Sequence, residues 1–104
     1  MEGSMVTLSE KYSILITRYF EENINDFVLV ESKTHGPYFY SEYKKDIIKI
    51  IVQGDIGGFE IHVFIDNEKF SLWKYDKSLL NKSTTNEENL SYQLSVLKSL
   101  AKSL

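Results

Sequence analysis

A chain of 104 residues, 42% of them hydrophobic and 26% charged, has room for one buried core and not for two. A formal charge of −3, a pI near 5.3 and Arg18 as the lone arginine among 12 basic residues argue against a nucleic-acid partner. The absence of cysteine excludes disulfides, thiolate zinc sites and cysteine nucleophiles, and no apolar run approaches the roughly 18 residues of a membrane span. No cationic segment precedes an apolar one, so no signal peptide is expected. Residues 1–104 therefore read as a single domain with no membrane contact, in which Met1–Met5 is a disordered start or cloning remnant outside the fold.

Thr7-Leu8-Ser9-Glu10 is a capping box: the Thr7 hydroxyl can accept from the third helical N–H while Glu10 reaches back. Leu8, Tyr12, Leu15, Ile16, Tyr19 and Phe20 then recur at helical spacing, which predicts a first helix to about Asn23. Phe27–Val30 is a short β-branched run. Ser32–Pro37 reads as a turn because Gly36 and Pro37 punctuate it. Tyr38–Tyr40 starts a second strand, with Pro37 fit only for its first residue or an edge. Ile47–Val52 could close a helix begun at Ser41, but its β-branched density favours a strand after a Lys44-Lys45-Asp46 turn.

After a glycine-rich loop at Gly54–Gly58, Phe59–Ile65 alternates strictly, Asp66–Lys69 turns, and Phe70–Tyr75 reads as the returning strand. Asp76–Thr84 is polar loop. Thr85-Asn86-Glu87-Glu88 forms a second capping box, and Leu90, Leu94, Leu97, Ala101 and Leu104 make a helical stripe. The expected fold is α+β: an N-terminal helix, four or five antiparallel strands and a C-terminal helix, both helices on one sheet face.

The Phe59–Tyr75 hairpin divides its side chains whichever even register it takes, since a shift of two preserves facing. Phe59, Ile61, Val63, Ile65, Phe70 and Leu72 fall toward the helices. Glu60, His62, Phe64, Trp73 and Tyr75 fall on the opposite face, with Asp76 beside them. An exposed Trp/Tyr/Phe surface next to a carboxylate and a histidine marks a recognition site, because aromatic anchors bury area at low entropic cost. The alternative is that the Asp76–Thr84 loop folds over that face as a second small core. A further candidate is the acidic run Glu21, Glu22, Asp26 and Glu31. Acid at a helix C-terminus opposes the macrodipole, and a basic partner would account for it.

Chemistry is sparse. His35 and His62 have no shared ligand spacing, so no metal is expected. Asp55, Asp66 and Asp76 lack a calcium-loop spacing, and no cofactor is implied. Gly54–Gly58 lacks the Lys-Ser/Thr of a phosphate loop and precedes a strand, so it reads as a β-turn or bulge. Glu60 and His62 could form an acid/base pair but have no evident nucleophile, so catalytic residues are none.

The stretches Phe59–Asn67, Phe70–Asp76, Glu88-Asn89-Leu90 and Tyr92-Gln93-Leu94 resemble small immunity proteins encoded beside bacterial polymorphic or contact-dependent toxins. The resemblance covers the C-terminal half. It implies a cytoplasmic inhibitor, not an enzyme, that binds the basic surface of a cognate toxin domain, often a nuclease, and blocks its active site. Acidic charge would steer such a binder. Two other classes compete with it. One is a small-molecule-binding or enzymatic domain with a pocket around Glu60, His62 and Tyr75. The other is a homodimer that pairs sheet faces or edge strands.

Overall fold

The computed structural model describes residues 7–104, so the expectation for residues 1–5 lies outside the described chain. Helix α1 (Leu8–Asn23) opens with the expected capping box: Thr7 Oγ1 accepts from the Glu10 N–H, and the Glu10 carboxylate accepts from the Thr7 N–H. Five antiparallel strands follow as a meander: β1 (Val28–His35), β2 (Tyr38–Lys45), β3 (Ile48–Gly54), β4 (Phe59–Ile65) and β5 (Glu68–Ser71). Two 3-10 segments, Leu72–Lys74 and Lys77–Asn81, lead to helix α2 (Glu87–Lys102). The α+β fold is as expected, and segment 41–53 is strand rather than helix.

One core joins the helices to one sheet face. Tyr12, Ile16 and Phe20 from α1 and Leu90, Leu94, Leu97 and Leu100 from α2 pack on Phe39, Tyr43, Ile50, Val52, Phe59, Ile61 and Val63. The helices lie side by side in parallel. Lys11 meets Glu87 at 2.9 Å near their N-termini, and Lys98 Nζ donates to Asn23 Oδ1 at 3.0 Å near their C-termini. Leu8 and Leu104, expected in the apolar stripes, are exposed, because Leu8 is the first residue of α1 and Leu104 lies past the end of α2.

Several boundaries differ from the sequence reading, each for a physical reason. Ser32–His35 is not turn but the second half of β1, paired with Tyr38–Ser41. The hairpin needs only two loop residues, with Gly36 in the left-handed region at φ 58°. Lys44 and Lys45 likewise belong to β2, and Asp46 at φ 54° begins the turn. Asp66 and Asn67 both hold positive φ, a type I′ pattern that suits the strands' twist, so β5 already starts at Glu68. Strand β5 stops at Ser71 rather than Tyr75. Leu72 turns into the core, and its carbonyl accepts from the Tyr75 N–H at 2.9 Å. Finally, the α2 N-cap is Asn86, which accepts from the Asn89 N–H, while the Thr85 hydroxyl donates to the Asp55 carbonyl at 2.6 Å.

Candidate functional site

Because β5 stops opposite His62, the first half of β4 has no strand beside it on that side. The chain crosses this gap as the two 3-10 segments. Leu72 and Leu79 anchor them in the core, and Asp76 caps the second by accepting from the Ser78 N–H. Between the segments and the bare edge of β4 lies a cavity of about 540 Å³, whose lining includes Gln53, Glu60, Trp73, Leu79, Leu80 and Gln93.

This arrangement changes the predicted surface. Trp73 is not on a strand; it is half-buried against the core and forms a cavity wall, with Lys74 Nζ 5.9 Å from its ring centroid. Glu60 is exposed as expected and lines the same cavity. Tyr75 is exposed but follows the first 3-10 segment and is not among the lining residues, and neither is Asp76. Phe64 remains on the outer face, half-covered by Lys49, whose Nζ lies 4.6 Å from the ring centroid. The outer face buries Ile51 and His62, but the Asp76–Thr84 loop does not add a second core to them. Leu79, from the loop that could have supplied one, joins the helix-side core instead.

His62 is not exposed. It keeps 8% of its surface, flanked across the ladder by Ile51 and Ser71, whose Oγ is 3.4 Å from Nδ1. Burial lowers its pKa and Lys69 adds to the shift, while Glu60 opposes it. The folded state thus holds the neutral imidazole, whereas the unfolded chain protonates near pH 6.5. Stability is therefore intact above about pH 6.5 and falls as the pH drops toward the lowered folded value, before most carboxylates titrate. Thermal melts from pH 7.5 to 5.5 should show this decline in the parent and a flatter profile in His62→Gln. Equal slopes would remove His62 as the cause.

The acidic candidates lie elsewhere. Asp26 is bound by Lys45 at 2.7 Å, a hydrogen bond that holds its carboxyl below the usual range. Glu31 lies 3.5 Å from Lys33 on the same strand. Glu21 and Glu22 are exposed at the end of α1, immediately after Phe20, which stacks on Tyr43. Six residues of β2 separate this end of the sheet from the Phe39–Gly54–Phe59 row beside the cavity, roughly 20 Å. The structure thus unites Glu60 with Trp73 and does not bring Glu21, Glu22 and Asp26 to them.

The glycine-rich loop serves as a turn. Asp55 Oδ1 accepts from the Gly57 and Gly58 N–H groups at 2.8 and 3.2 Å, the groups that a phosphate would need. Among the described residues no group of three His, Cys, Asp or Glu side chains is placed to hold a metal ion. No helix among them is long and apolar enough to cross a membrane.

Sequence reasoning missed Gln53, Leu79, Leu80 and Gln93 as cavity walls, since the cavity exists only because the chain leaves the ladder at Ser71. One signal was present: Leu79-Leu80 is an apolar pair inside an otherwise polar loop, as an anchor would be. Protein-family models, curated proteins and solved structures were each compared with the chain, and none matches.

Proposed function

We propose that this chain is a non-catalytic protein-binding module, an immunity-type inhibitor that occupies the basic cleft of a cognate toxin domain in the cytoplasm. The observation that carries the reading is the joining of Glu60 and Trp73 at one cavity beside the bare edge of β4. A carboxylate beside an indole suits a lysine or arginine side chain, which gains charge attraction and a π face together. The net charge of −3 favours encounter with a basic partner. A half-buried tryptophan held by anchored turns is the pre-organised kind of side chain that dominates interface energetics.

The test is co-expression with the toxin domain encoded beside the gene. Glu60→Lys with Trp73→Ala should abolish protection and weaken binding by about 1,000-fold, at roughly 2 kcal/mol for each hot-spot residue. Protection and affinity left intact would place the interface elsewhere.

A small-molecule-binding or enzymatic domain is the second reading, favoured by the cavity volume itself. The cavity wall carries Glu60 but neither His62 nor Tyr75, and since the other lining carboxylate, Asp55, is engaged by the Gly57 and Gly58 N–H groups, a cationic ligand there would be met by Glu60. Small amines and guanidines at about 1 mM that shift the Trp73 indole resonance in the parent and not in Glu60→Lys would support it. An unmoved resonance would count against it.

A further inference from the structure

At the opposite edge of the sheet from the cavity, β1 pairs with β2 on one side and, among the described residues, with no strand on the other. All eight of its residues are exposed, and Val28, Leu29 and Val30 keep 69%, 43% and 54% of their surfaces. A free edge of this length presents unpaired N–H and C=O groups, which proteins ordinarily blunt.

The charges on β1 pick out one partner. On the outer face Glu31 stands directly across from Glu42 of β2, a like-charge pair that an antiparallel ladder disfavours. Its relief is slight: Lys33 reaches it at 3.5 Å along the same strand, with both side chains about half exposed. Meanwhile Lys33 stands across from Tyr40, with Nζ 5.1 Å from the ring centroid, and Tyr40 donates to Glu42 at 2.8 Å.

We propose that β1 pairs antiparallel with β1 of a second copy, about a two-fold axis through Ser32. In that register Ser32 faces Ser32, and Glu31 of each copy faces Lys33 of the other. Val30 falls beside Thr34, and the matched ladder ends there, because the register shift turns Leu29 to the helix-side face across from Tyr43 while His35 stays on the outer face across from Tyr38. The outer-face row then reads Glu42, Glu31, Lys33, Tyr40 across the junction, twice, so each Glu31 has a cation opposite it as well as a carboxylate.

From Val30 to Thr34, even-numbered residues oppose even-numbered ones and odd oppose odd. The outward hydrogen-bonding groups of the two copies therefore coincide whichever parity carries them. Slipping the register by two residues one way sets Lys33 on Lys33, and the other way sets Glu31 on Glu31. Either costs what the proposed register gains. The register shift between Leu29 and Glu31, with Val30 between them, and the charge on Lys33 are devices that protect edges from indiscriminate pairing. On β1 the Ser32-centred register escapes the like-charge pairs that both neighbouring registers carry.

The chain has no cysteine, so one introduced thiol reports its own contacts. Ser32→Cys sits on the proposed axis, where facing Cα atoms fall within disulfide reach. Under mild oxidation it should form a covalent dimer at least tenfold faster than Ser99→Cys on the exposed face of α2. Adding Glu31→Lys should remove that advantage, and adding Glu31→Lys with Lys33→Glu should restore it. Sedimentation velocity of the parent from about 5 to about 500 μM should show a rising dimer fraction, as a small interface implies.

Equal cross-linking at positions 32 and 99 would overturn the proposal. So would indifference to Glu31→Lys, or a parent that stays monomeric throughout. Circular dichroism of each variant separates loss of pairing from loss of fold. The result is independent of the toxin-binding reading, whose residues lie at the other edge.

Discussion

Phe20→Ala should lower the free energy of unfolding by about 4 kcal/mol, seen as a lower denaturant midpoint with an unchanged slope. Phe20 retains 1% of its surface, and its ring lies parallel to that of Tyr43, with centroids 3.7 Å apart and 1° between planes. Truncation removes a buried aromatic and leaves a void between α1 and β2 that a rigid strand and a capped helix cannot close. A small domain has roughly 5–15 kcal/mol in all, so this one change takes a large share. Tyr43→Phe is the control. It keeps the stacked ring and removes a buried hydroxyl that has no hydrogen-bond partner, so it should cost little or stabilise slightly. A loss under about 1 kcal/mol for Phe20→Ala would mean that the α1–sheet interface is not the core's principal contact.

Gly54→Ala should be comparably severe, at least about 3 kcal/mol, although it adds a single methyl group. Gly54 ends β3 directly across from Phe59. A Cβ there would lie 2.6 Å from the Phe59 Cα and would also strike the Gly58 carbonyl oxygen. Those atoms are backbone, tied by the hydrogen bond from the Asp55 N–H to Gly58 at 2.9 Å and from the Phe59 N–H to the Ser83 carbonyl at 3.0 Å. Relief requires opening the β3–β4 junction. Gly36→Ala is the comparison, because nothing lies within 4 Å of its Cβ position and its cost is only the positive φ, about 1 kcal/mol. If urea titrations rank Gly36→Ala below Gly54→Ala in stability, crowding at the β3–β4 junction is not the constraint. Gly54 also lines the cavity, so its replacement should weaken partner binding as well.

Most of the architecture was legible because periodicity reports burial. The helical stripes, the Phe59–Ile65 alternation and the inward set Phe59, Ile61, Val63, Phe70 and Leu72 all follow from one face meeting one core. The reading failed where burial leaves no imprint. Ser32–His35 reads as loop because an edge strand with both faces exposed has no reason to alternate. Trp73 and Tyr75 read as strand because alternation continues past Ser71 in sequence, whereas the chain leaves the ladder to bury Leu72 and then Leu79. His62 was assigned correctly to the outer face, yet outer-face position did not guarantee exposure: its cross-ladder neighbour Ile51 is buried as well. Glu60 and Trp73 were paired for the wrong geometric reason, as residues sharing a strand face, and meet instead across a cavity that strand parity cannot foresee.

The meander order has a consequence for how the chain assembles. Every strand pairs with its successor, so the ladder can be built by closing turns of only a few residues, each at small entropic cost. The contacts between the parallel helices are different in kind, since Asn23 and Lys98 are 75 residues apart in the chain. The long-range search is thus concentrated in one event, the docking of α2 beside α1. Until it occurs, the inner face of the sheet is open along one side.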